Sequence, residues 1–249
     1  MFGDMLQVID PVNETQFLDA ITQTTPNMHS QFQQNWLSLS KQAEQLSSSY
    51  LATTPFCDLK VFETVLATLP QPAHIQFGNS TPIRYGNLFK QKTEHQSNSN
   101  RGTSGIDGCL STATGAAYVH NALTVCIMGD ISFLYDSNAL WNNYLSPNLR
   151  IVIINNSGGN IFRLIEGPNQ VNDFEKFFET THNLTAKHLA NMYQLPYYFC
   201  TNQAELNQVL QTFYQPQNGK PAILEIKTDN LLSAQAFKNY FSHLTIHKK

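Results

Sequence analysis

Short apolar runs alternate with helix-length amphipathic segments over most of this chain. The apolar runs predict β-strands, which lie at 74–77, 123–128, 150–155, 195–200 and 222–227. The segments between them carry apolar residues at helical spacing and predict helices over 82–89, 136–145, 204–214 and 231–244. Nearly continuous apolar strands joined by helix-length connections are typical of a parallel sheet covered on both faces. We therefore predict an α/β fold with a doubly wound, mostly parallel sheet.

The N-terminal part of the chain has a different pattern. Apolar residues at helical spacing predict an amphipathic helix over 29–51, and a second helix is predicted over 58–70 with Asp58 as its N-cap. A short strand is predicted over 6–10. Farther along the chain, Asn202 is the predicted N-cap of the helix at 204–214.

Composition and charge exclude several classes of protein. With 249 residues, 41% of them hydrophobic and 13% charged, the chain has an ordinary globular balance. A net charge of −3 argues against general nucleic-acid binding, which requires a basic face. The four cysteines are far apart, and Cys126 lies inside an apolar run, so we expect core packing rather than zinc binding or disulfides. No apolar stretch approaches the ~20 residues that span a bilayer, and a cytoplasmic location is expected.

Polar and glycine-rich tips follow three of the predicted strands. They are Gly-Asn-Ser at 78–80, Gly-Asp at 129–130 and Asn-Ser-Gly-Gly at 156–159. In open α/β sheets, ligands bind at the carboxyl ends of the strands, so these tips are expected to line one crevice. A lone Asp at the start of a helix is most often only an N-cap. Here a second oxygen donor, Asn156, follows the neighbouring strand.

The expected oxygen donors at this crevice suit Mg²⁺. A carboxylate, an amide oxygen and a loop carbonyl are hard ligands, and they leave room for phosphate oxygens and water. The helix after Asp130 offers backbone N–H groups, from about Ile131 and Ser132, to an anion. The helix dipole contributes only ~0.3–1 kcal/mol, so a metal ion must carry most of the charge neutralisation. The inferred ligand is a diphosphate bridged by Mg²⁺.

Three motifs together resemble one enzyme family. The stretches GNSTPIR (78–84), NRGTSGIDGCLSTATG (100–115) and GDISFLYDSNALW…NNSGGNIF (from 129 to 162) are similar to those of the MenD family. These are thiamine diphosphate-dependent synthases of 2-succinyl-5-enolpyruvyl-6-hydroxy-3-cyclohexene-1-carboxylate in menaquinone biosynthesis. The resemblance implies a thiamine diphosphate-binding fold, Mg²⁺ (or Mn²⁺) as metal, and a transferase that decarboxylates 2-oxoglutarate and adds the succinyl unit to isochorismate.

The resemblance also implies roles for individual residues. Asp130 and Asn156 would bind the metal through side-chain oxygens, and Gly158 through its carbonyl. Substrate carboxylates would be bound by Ser80, Arg84 and Arg101. Ile106 would hold the cofactor bent, although core packing is the alternative role for this side chain. The remaining implied cofactor-pocket residues are Ser104 and Gly105 beside the pyrimidine ring, Gly129, Ile131 and Ser132 at the diphosphate, and Gly159, Ile161, Phe162 and Ile165.

One part of the family's machinery is not found in this sequence. The family's Glu that activates the cofactor lies in a separate pyrimidine-binding domain, which no part of the chain resembles. Residues 1–52 are expected to be the end of a central domain or helical connector, and residues 53–249 the diphosphate-binding domain. The isolated chain is therefore expected to be inactive, and to work as a homo-oligomer such as a homodimer or with a pyrimidine-binding domain.

Two alternative functions stay open at this point. The chain could belong to another thiamine diphosphate lyase, of the acetolactate synthase or 2-oxo acid decarboxylase type, or it could be a non-catalytic binding or assembly module. A dinucleotide-binding dehydrogenase and a serine or zinc hydrolase are disfavoured, because their glycine-rich, nucleophile and metal motifs are not found in the sequence. The sequence assigns no role to His182.

Overall fold

The computed structural model describes residues 13–24, 31–120, 122–216 and 218–245. The chain divides into two compact units, Met1–Gln45 and Leu46–Lys249. The described residues of the first unit are mainly helical and comprise α1 (Glu14–Thr24), which was not predicted, and the beginning of α2 (Phe32–Thr53). The strand predicted over 6–10 lies outside the described residues. Within the described residues, no helix has both the length and the apolar character needed to cross a bilayer.

The second unit is built on a six-stranded sheet in which every pair of neighbouring strands is parallel. The strands are β1 (Ala73–Phe77), β2 (Gln96–Ser99), β3 (Leu123–Gly129), β4 (Leu149–Asn155), β5 (Tyr197–Cys200) and β6 (Ala222–Lys227). The predicted α/β class is confirmed. The short polar strand β2 was missed, because an edge strand with the sequence QSNS carries no apolar run.

Helices and helical turns connect the strands. The helices are α3 (Asp58–Thr68), α4 (Thr81–Gly86), α5 (Cys109–Val119), α6 (Asp130–Asp136), α7 (Ile161–Leu164), α8 (Lys187–Met192), α9 (Gln203–Phe213) and α10 (Asn230–Leu244). A 3₁₀ turn, Ser137–Leu140, follows α6, another, Pro168–Gln170, follows α7, and a π-helical turn, Glu175–Glu179, lies between α7 and α8. The predicted cap is confirmed at Asn202, whose side chain accepts a hydrogen bond from the Glu205 N–H.

Two predictions about helices were wrong. Helix α6 ends at Asp136 and is not followed by a helix through residue 145. The Asp136 carboxylate accepts hydrogen bonds from the Ser111 N–H and hydroxyl, and the Asn142 side chain accepts one from the Tyr144 N–H, which favours a turn. Asp58 is not the N-cap of α3; Cys57 is, and Asp58 is the first helical residue with a buried carboxylate.

Apolar side chains cover both faces of the sheet. Ile75, Val125 and Val152 point to the face that packs against α3, α9 and α10, whereas Cys126 and Ile151 point to the face that packs against α5. Cys126 is a buried core residue, as predicted. Burial of both faces explains why the central strands are almost continuously apolar.

The order of the strands locates a crevice. In the order β2-β1-β3-β4-β6-β5, the chain moves from β1 outward to β2 and then returns to the other side of β1 to form β3. The connections after β1 and β3 therefore diverge, which leaves a gap at the carboxyl ends of these two strands. Gly78, Asn79, Gly129 and Asp130 lie at this gap.

Candidate functional site

A cleft of about 510 Å³ lies at the carboxyl ends of β1, β3 and β4. Most of the predicted site residues line it. They are Ser80, Arg84, Arg101, Ser104, Ile106, Gly129, Asp130, Ile131, Ser132, Asn156, Gly158, Gly159, Ile161 and Phe162. Gly105 and Ile165 do not: the Gly105 carbonyl accepts a hydrogen bond from the Asn79 amide at 2.5 Å, and Ile165 follows α7 with 40% of its surface exposed.

Asp130 joins the loops that follow β3 and β4. Its side chain is only 4% exposed, and its Oδ2 accepts a hydrogen bond from the Gly158 N–H at 3.0 Å. This contact is possible because β3 and β4 are paired neighbours, with Gly129 opposite Ile154. The Ile131 N–H, predicted to face a diphosphate, donates instead to Oδ1 of Asp130 at 2.8 Å.

Asn156 is oriented by a buried carboxylate that lies far away in the sequence. Its Nδ2 donates to Oδ2 of Asp58 at 2.8 Å, and Oδ1 of Asp58 accepts from the Thr228 hydroxyl at 2.6 Å. Burial raises the pKa of Asp58, while the hydrogen bonds from Thr228, Asn156 and Ser233 act in the opposite direction. The Asn156 Oδ1 is buried and has no hydrogen-bond partner.

The loop Ser157–Gly159 requires glycine at its centre. Gly158 has a φ of 153°, and a Cβ on it would lie 2.6 Å from the Glu179 carbonyl oxygen. The next residue, Gly159, donates its N–H to the same carbonyl at 2.7 Å. Only a residue without a side chain allows the two backbones to approach this closely.

These residues fit a hard divalent cation. The Asp130 carboxylate, the unpartnered Asn156 Oδ1 and the Gly158 carbonyl are oxygen donors that line one cleft. Mg²⁺ prefers such ligands and usually keeps phosphate oxygens or waters for its remaining positions. Across the described residues, no group of three or more His, Cys, Asp or Glu side chains is placed to hold a metal ion, so this site differs from a zinc-type cluster.

Two arginines stand at the rim of the cleft. Arg84 and Arg101 are both exposed. Their guanidinium groups make contacts within the rim: Arg84 donates to the Ser80 carbonyl at 2.8 Å, and Arg101 donates to Oδ1 of Asn79 at 3.2 Å. Each arginine retains further N–H donors that could bind a carboxylate.

Asn79 lines the cleft, as predicted for the Gly-Asn-Ser tip, but the sequence analysis assigned it no individual role. It is buried, and its Nδ2 donates to the Asn100 and Gly105 carbonyls at 2.7 and 2.5 Å. It therefore fastens the loop after β1 to the loop that carries Arg101 and Ile106. The spacing of the motif could not reveal this contact, because it depends on the position of β2.

Ile106 is held at the beginning of α6. The Ser132 hydroxyl, predicted to bind a diphosphate, donates to the Ile106 carbonyl at 2.5 Å. Ile106 is half-buried and lines the cleft. The contact links the 100–108 loop to the loop of Asp130.

The sequence analysis assigned no role to several other residues that line the cleft. Tyr135, Phe177, Phe178 and Thr180 line the cleft, as does Asn160, which is 2% exposed and whose side-chain oxygen and nitrogen both lack a partner. His182 is adjacent to the metal-type site. Its Nδ1 accepts from the Leu184 N–H at 3.0 Å, and its Nε2 lies 3.2 Å from Oδ2 of Asp130.

Comparison with known proteins relates the chain to a family of cofactor-binding domains. Residues 78–226 match the family described as "Thiamine pyrophosphate enzyme, C-terminal TPP binding domain". Several curated 2-succinyl-5-enolpyruvyl-6-hydroxy-3-cyclohexene-1-carboxylate synthases are similar to the chain. The synthase of Flavobacterium johnsoniae is 46% identical over 196 residues, which is 79% of this chain and 35% of that protein.

Two further synthases extend the similarity. That of Flavobacterium psychrophilum is 44% identical over 209 residues, covering 84% of this chain and 38% of that protein. That of Cytophaga hutchinsonii is 39% identical over 245 residues, covering 96% of this chain and 43% of that protein. The chain thus spans less than half the length of these relatives.

Proposed function

Since the chain belongs to the family of C-terminal TPP-binding domains of thiamine pyrophosphate enzymes, we propose that its cleft binds this cofactor, which is also called thiamine diphosphate. Mg²⁺, with Mn²⁺ as a substitute, would hold the diphosphate of the cofactor in the cleft. The ligands would be the Asp130 carboxylate, Oδ1 of Asn156 and the carbonyl of Gly158. The observation that carries this proposal is the buried, unpartnered Asn156 Oδ1, because leaving such an acceptor unsatisfied costs about 1–3 kcal/mol. A bound cation would remove that cost.

The chain's own residues would bind and orient the reactants. When bound, thiamine diphosphate supplies the electron sink for decarboxylation. Ile106, held by Ser132, would support the cofactor from the cleft wall. Arg84 and Arg101 would bind substrate carboxylates at the rim, where a guanidinium can donate two parallel hydrogen bonds. Phe162 and Phe178 would exclude water from the apolar side of the cleft.

We further propose that the chain serves as the C-terminal portion of a synthase that decarboxylates 2-oxoglutarate and transfers the succinyl unit to isochorismate. The similarity to the three synthases supports this reaction, as do the two arginines, which suit dicarboxylic substrates. Because the chain spans less than half of these relatives, a pyrimidine-binding domain would complete the cleft, either from a longer polypeptide or from a second subunit of a homodimer.

Calorimetry tests the cofactor site directly. Thiamine diphosphate titrated into the chain with Mg²⁺ is expected to release heat, and EDTA or Asp130→Asn is expected to abolish the heat. Asp229→Asn is the matched control, because Asp229 caps α10 and Asn caps a helix equally well. Binding that survives Asp130→Asn would contradict the assigned metal ligand.

A chimera tests the reaction. Replacing the matching C-terminal portion of the Flavobacterium johnsoniae synthase with this chain joins it to the remaining part of that synthase. Turnover of 2-oxoglutarate with isochorismate is the expected result. Decarboxylation of pyruvate instead would favour the acetolactate synthase type, and cofactor binding without turnover of either acid would favour a non-catalytic module.

A further inference from the structure

The segment Glu175–His182, here called the strap, runs along the loop Ser157–Gly159. Two backbone hydrogen bonds join them: Gly159 N–H donates to the Glu179 carbonyl at 2.7 Å, and His182 N–H donates to the Ser157 carbonyl at 3.1 Å. Gly158 lies between these two bonds and would carry a metal-binding carbonyl under the proposed function. The position of that carbonyl therefore depends on the position of the strap.

A buried ion pair anchors the strap. The Glu179 side chain is fully buried, and both of its carboxylate oxygens accept hydrogen bonds from Arg163, one from Nε and one from Nη2, at 2.5 Å each. The Asn230 amide also donates to Oε1 of Glu179 at 3.0 Å. Such bidentate pairs impose a defined geometry, because the guanidinium and the carboxylate are both planar.

Burying the Glu179 carboxylate against the half-buried Arg163 is costly, and the pair is not needed to fill the sheet's core. Arg163 lies on α7, directly after the glycine loop, and Glu179 lies in the π-helical turn. Neither residue belongs to the apolar clusters that cover the sheet. An ion pair in this place joins the two ends of the segment that encloses one side of the cleft, so its role is to fix geometry rather than to bury apolar surface.

The same pair also positions the aromatic side of the cleft. The Arg163 guanidinium lies 5.2 Å from the centre of the Phe174 ring, and Phe174 is stacked on Phe178. Phe178 in turn packs edge-to-face against Phe162 at 5.7 Å. Phe162 and Phe178 both line the cleft. The Arg163–Glu179 ion pair is therefore linked by contacts to both sides of the cleft, the side with the oxygen donors and the apolar side.

We propose that Glu179, locked by Arg163, is a positioning residue that holds the Ser157–Gly159 loop so that the Gly158 carbonyl faces the cation. This inference rests on the proposed function for the identity of the ligand. The contacts between the strap and the loop are a property of the protein without any ligand, and they can be tested separately.

The test uses the full chain, three single variants that alter the ion pair, the double variant Glu179→Gln/Arg163→Met, and one control variant. Glu179→Gln and Arg163→Met break the ion pair. Arg163→Lys keeps the positive charge, but a lysine cannot donate two parallel hydrogen bonds to the carboxylate. Glu205→Gln is the control for the loss of a glutamate charge: the exposed Glu205 carboxylate accepts a backbone N–H, from Thr201 at 2.7 Å, and lies on α9, next to the edge strand β5. Amide hydrogen exchange is measured without cofactor, and Mn²⁺ binding is measured by electron paramagnetic resonance with thiamine diphosphate present.

In Glu179→Gln and Arg163→Met, the Gly159 and His182 amides should exchange at least tenfold faster than in the parent chain. The affinity of these two variants for Mn²⁺ should fall roughly 10–100-fold, as is typical when a residue that orients a metal ligand is lost. Arg163→Lys should lie between these variants and the parent. Glu205→Gln should match the parent in both measurements, and the double variant should be no worse than either single one.

Three results decide the inference. Unchanged exchange at Gly159 and His182 would overturn it, and so would faster exchange with parental Mn²⁺ affinity. If the parent chain binds neither Mn²⁺ nor cofactor, the proposed function fails, and the exchange data alone decide whether the strap holds the loop. Should Glu179→Gln not fold, Arg163→Lys still gives both readouts.

Discussion

The side-chain amide of Asn156 donates a hydrogen bond to the carboxylate of Asp58 at 2.8 Å, although one residue follows β4 and the other begins α3. Both carboxylate oxygens of Asp58 act as hydrogen-bond acceptors, so the Asn156 nitrogen faces Asp58 and the Asn156 oxygen is turned away. The orientation of Asn156 is thereby determined, and its oxygen is left free for a ligand. Under the proposed function, Asp58 would therefore be the residue that orients Asn156 for metal binding.

Replacing Asp58 should weaken metal binding. In Asp58→Ala, the Asn156 amide loses its acceptor and can rotate, so the affinity for Mg²⁺ with thiamine diphosphate should fall about tenfold or more. The free energy of unfolding should fall by about 1–3 kcal/mol, because the Asn156 nitrogen and the Thr228 hydroxyl are left buried without a partner. Calorimetry and urea denaturation measure the two effects. Parental affinity in a folded Asp58→Ala variant would contradict this role.

Stability should decrease at mildly acidic pH because of His74. Burial lowers the pKa of His74 and the neighbouring His120 lowers it further, and its Nδ1 is buried without a partner. The unfolded chain takes up a proton on His74 below the ordinary value of 6.5, whereas the folded chain takes it up only at a lower pH. Stability is therefore retained above that pH and lost as the pH falls below it, by at most about 1.4 kcal/mol per pH unit.

Urea denaturation between pH 8 and pH 5 measures this dependence. His74→Gln should make the stability curve shallower in the acidic range. His188→Gln is the control, because His188 is exposed. If the His74 and His188 variants follow the same curve as the parent, then His74 does not cause the loss.

Arg150 should be a major contributor to stability. It is 1% exposed and donates to the carbonyls of Phe213, Pro147 and Leu149 at 2.7–2.9 Å, and also to that of Gln215. Arg150→Met leaves these acceptors without a donor, and orphaned buried groups cost about 1–3 kcal/mol each. We expect the free energy of unfolding to fall by roughly 2–4 kcal/mol. A change within about 0.5 kcal/mol, the range of an ordinary surface substitution, would refute this expectation.

Arg101 should affect substrate binding rather than cofactor binding. In the chimera, Arg101→Ala should raise KM for 2-oxoglutarate roughly 10–100-fold, because a charge-assisted hydrogen bond contributes about 1.5–3 kcal/mol. Arg101→Lys should recover only part of this, since a lysine cannot bind a carboxylate with two parallel bonds. The affinity for thiamine diphosphate should stay at the parental value. A loss of cofactor affinity of the same size would instead indicate that Arg101 supports the loop through Asn79.

The sequence correctly predicted those structural features that are caused by the local pattern of residues along the chain. The strand at 222–227 was predicted with its observed bounds, because burial on both faces requires an unbroken apolar run. The cap at Asn202 and the strand tips were also visible, since they consist of consecutive residues, whereas the cap predicted at Asp58 was off by one residue. The edge strand β2 and helix α5 were missed because their sequences, QSNS and CLSTATGAAYV, lack a periodic apolar signal.

The sequence by itself determined the class of fold, the family, and which oxygen-bearing side chains lie at the ends of β3 and β4. These features depend on residues that are neighbours along the chain or on motifs of fixed spacing. Only the tertiary structure decided how the donors are held: Asp58 orients Asn156, Glu179 holds the glycine loop, and His182 lies against Asp130. Such contacts join residues from separate elements, and the order of the strands, which no local pattern encodes, brings them together.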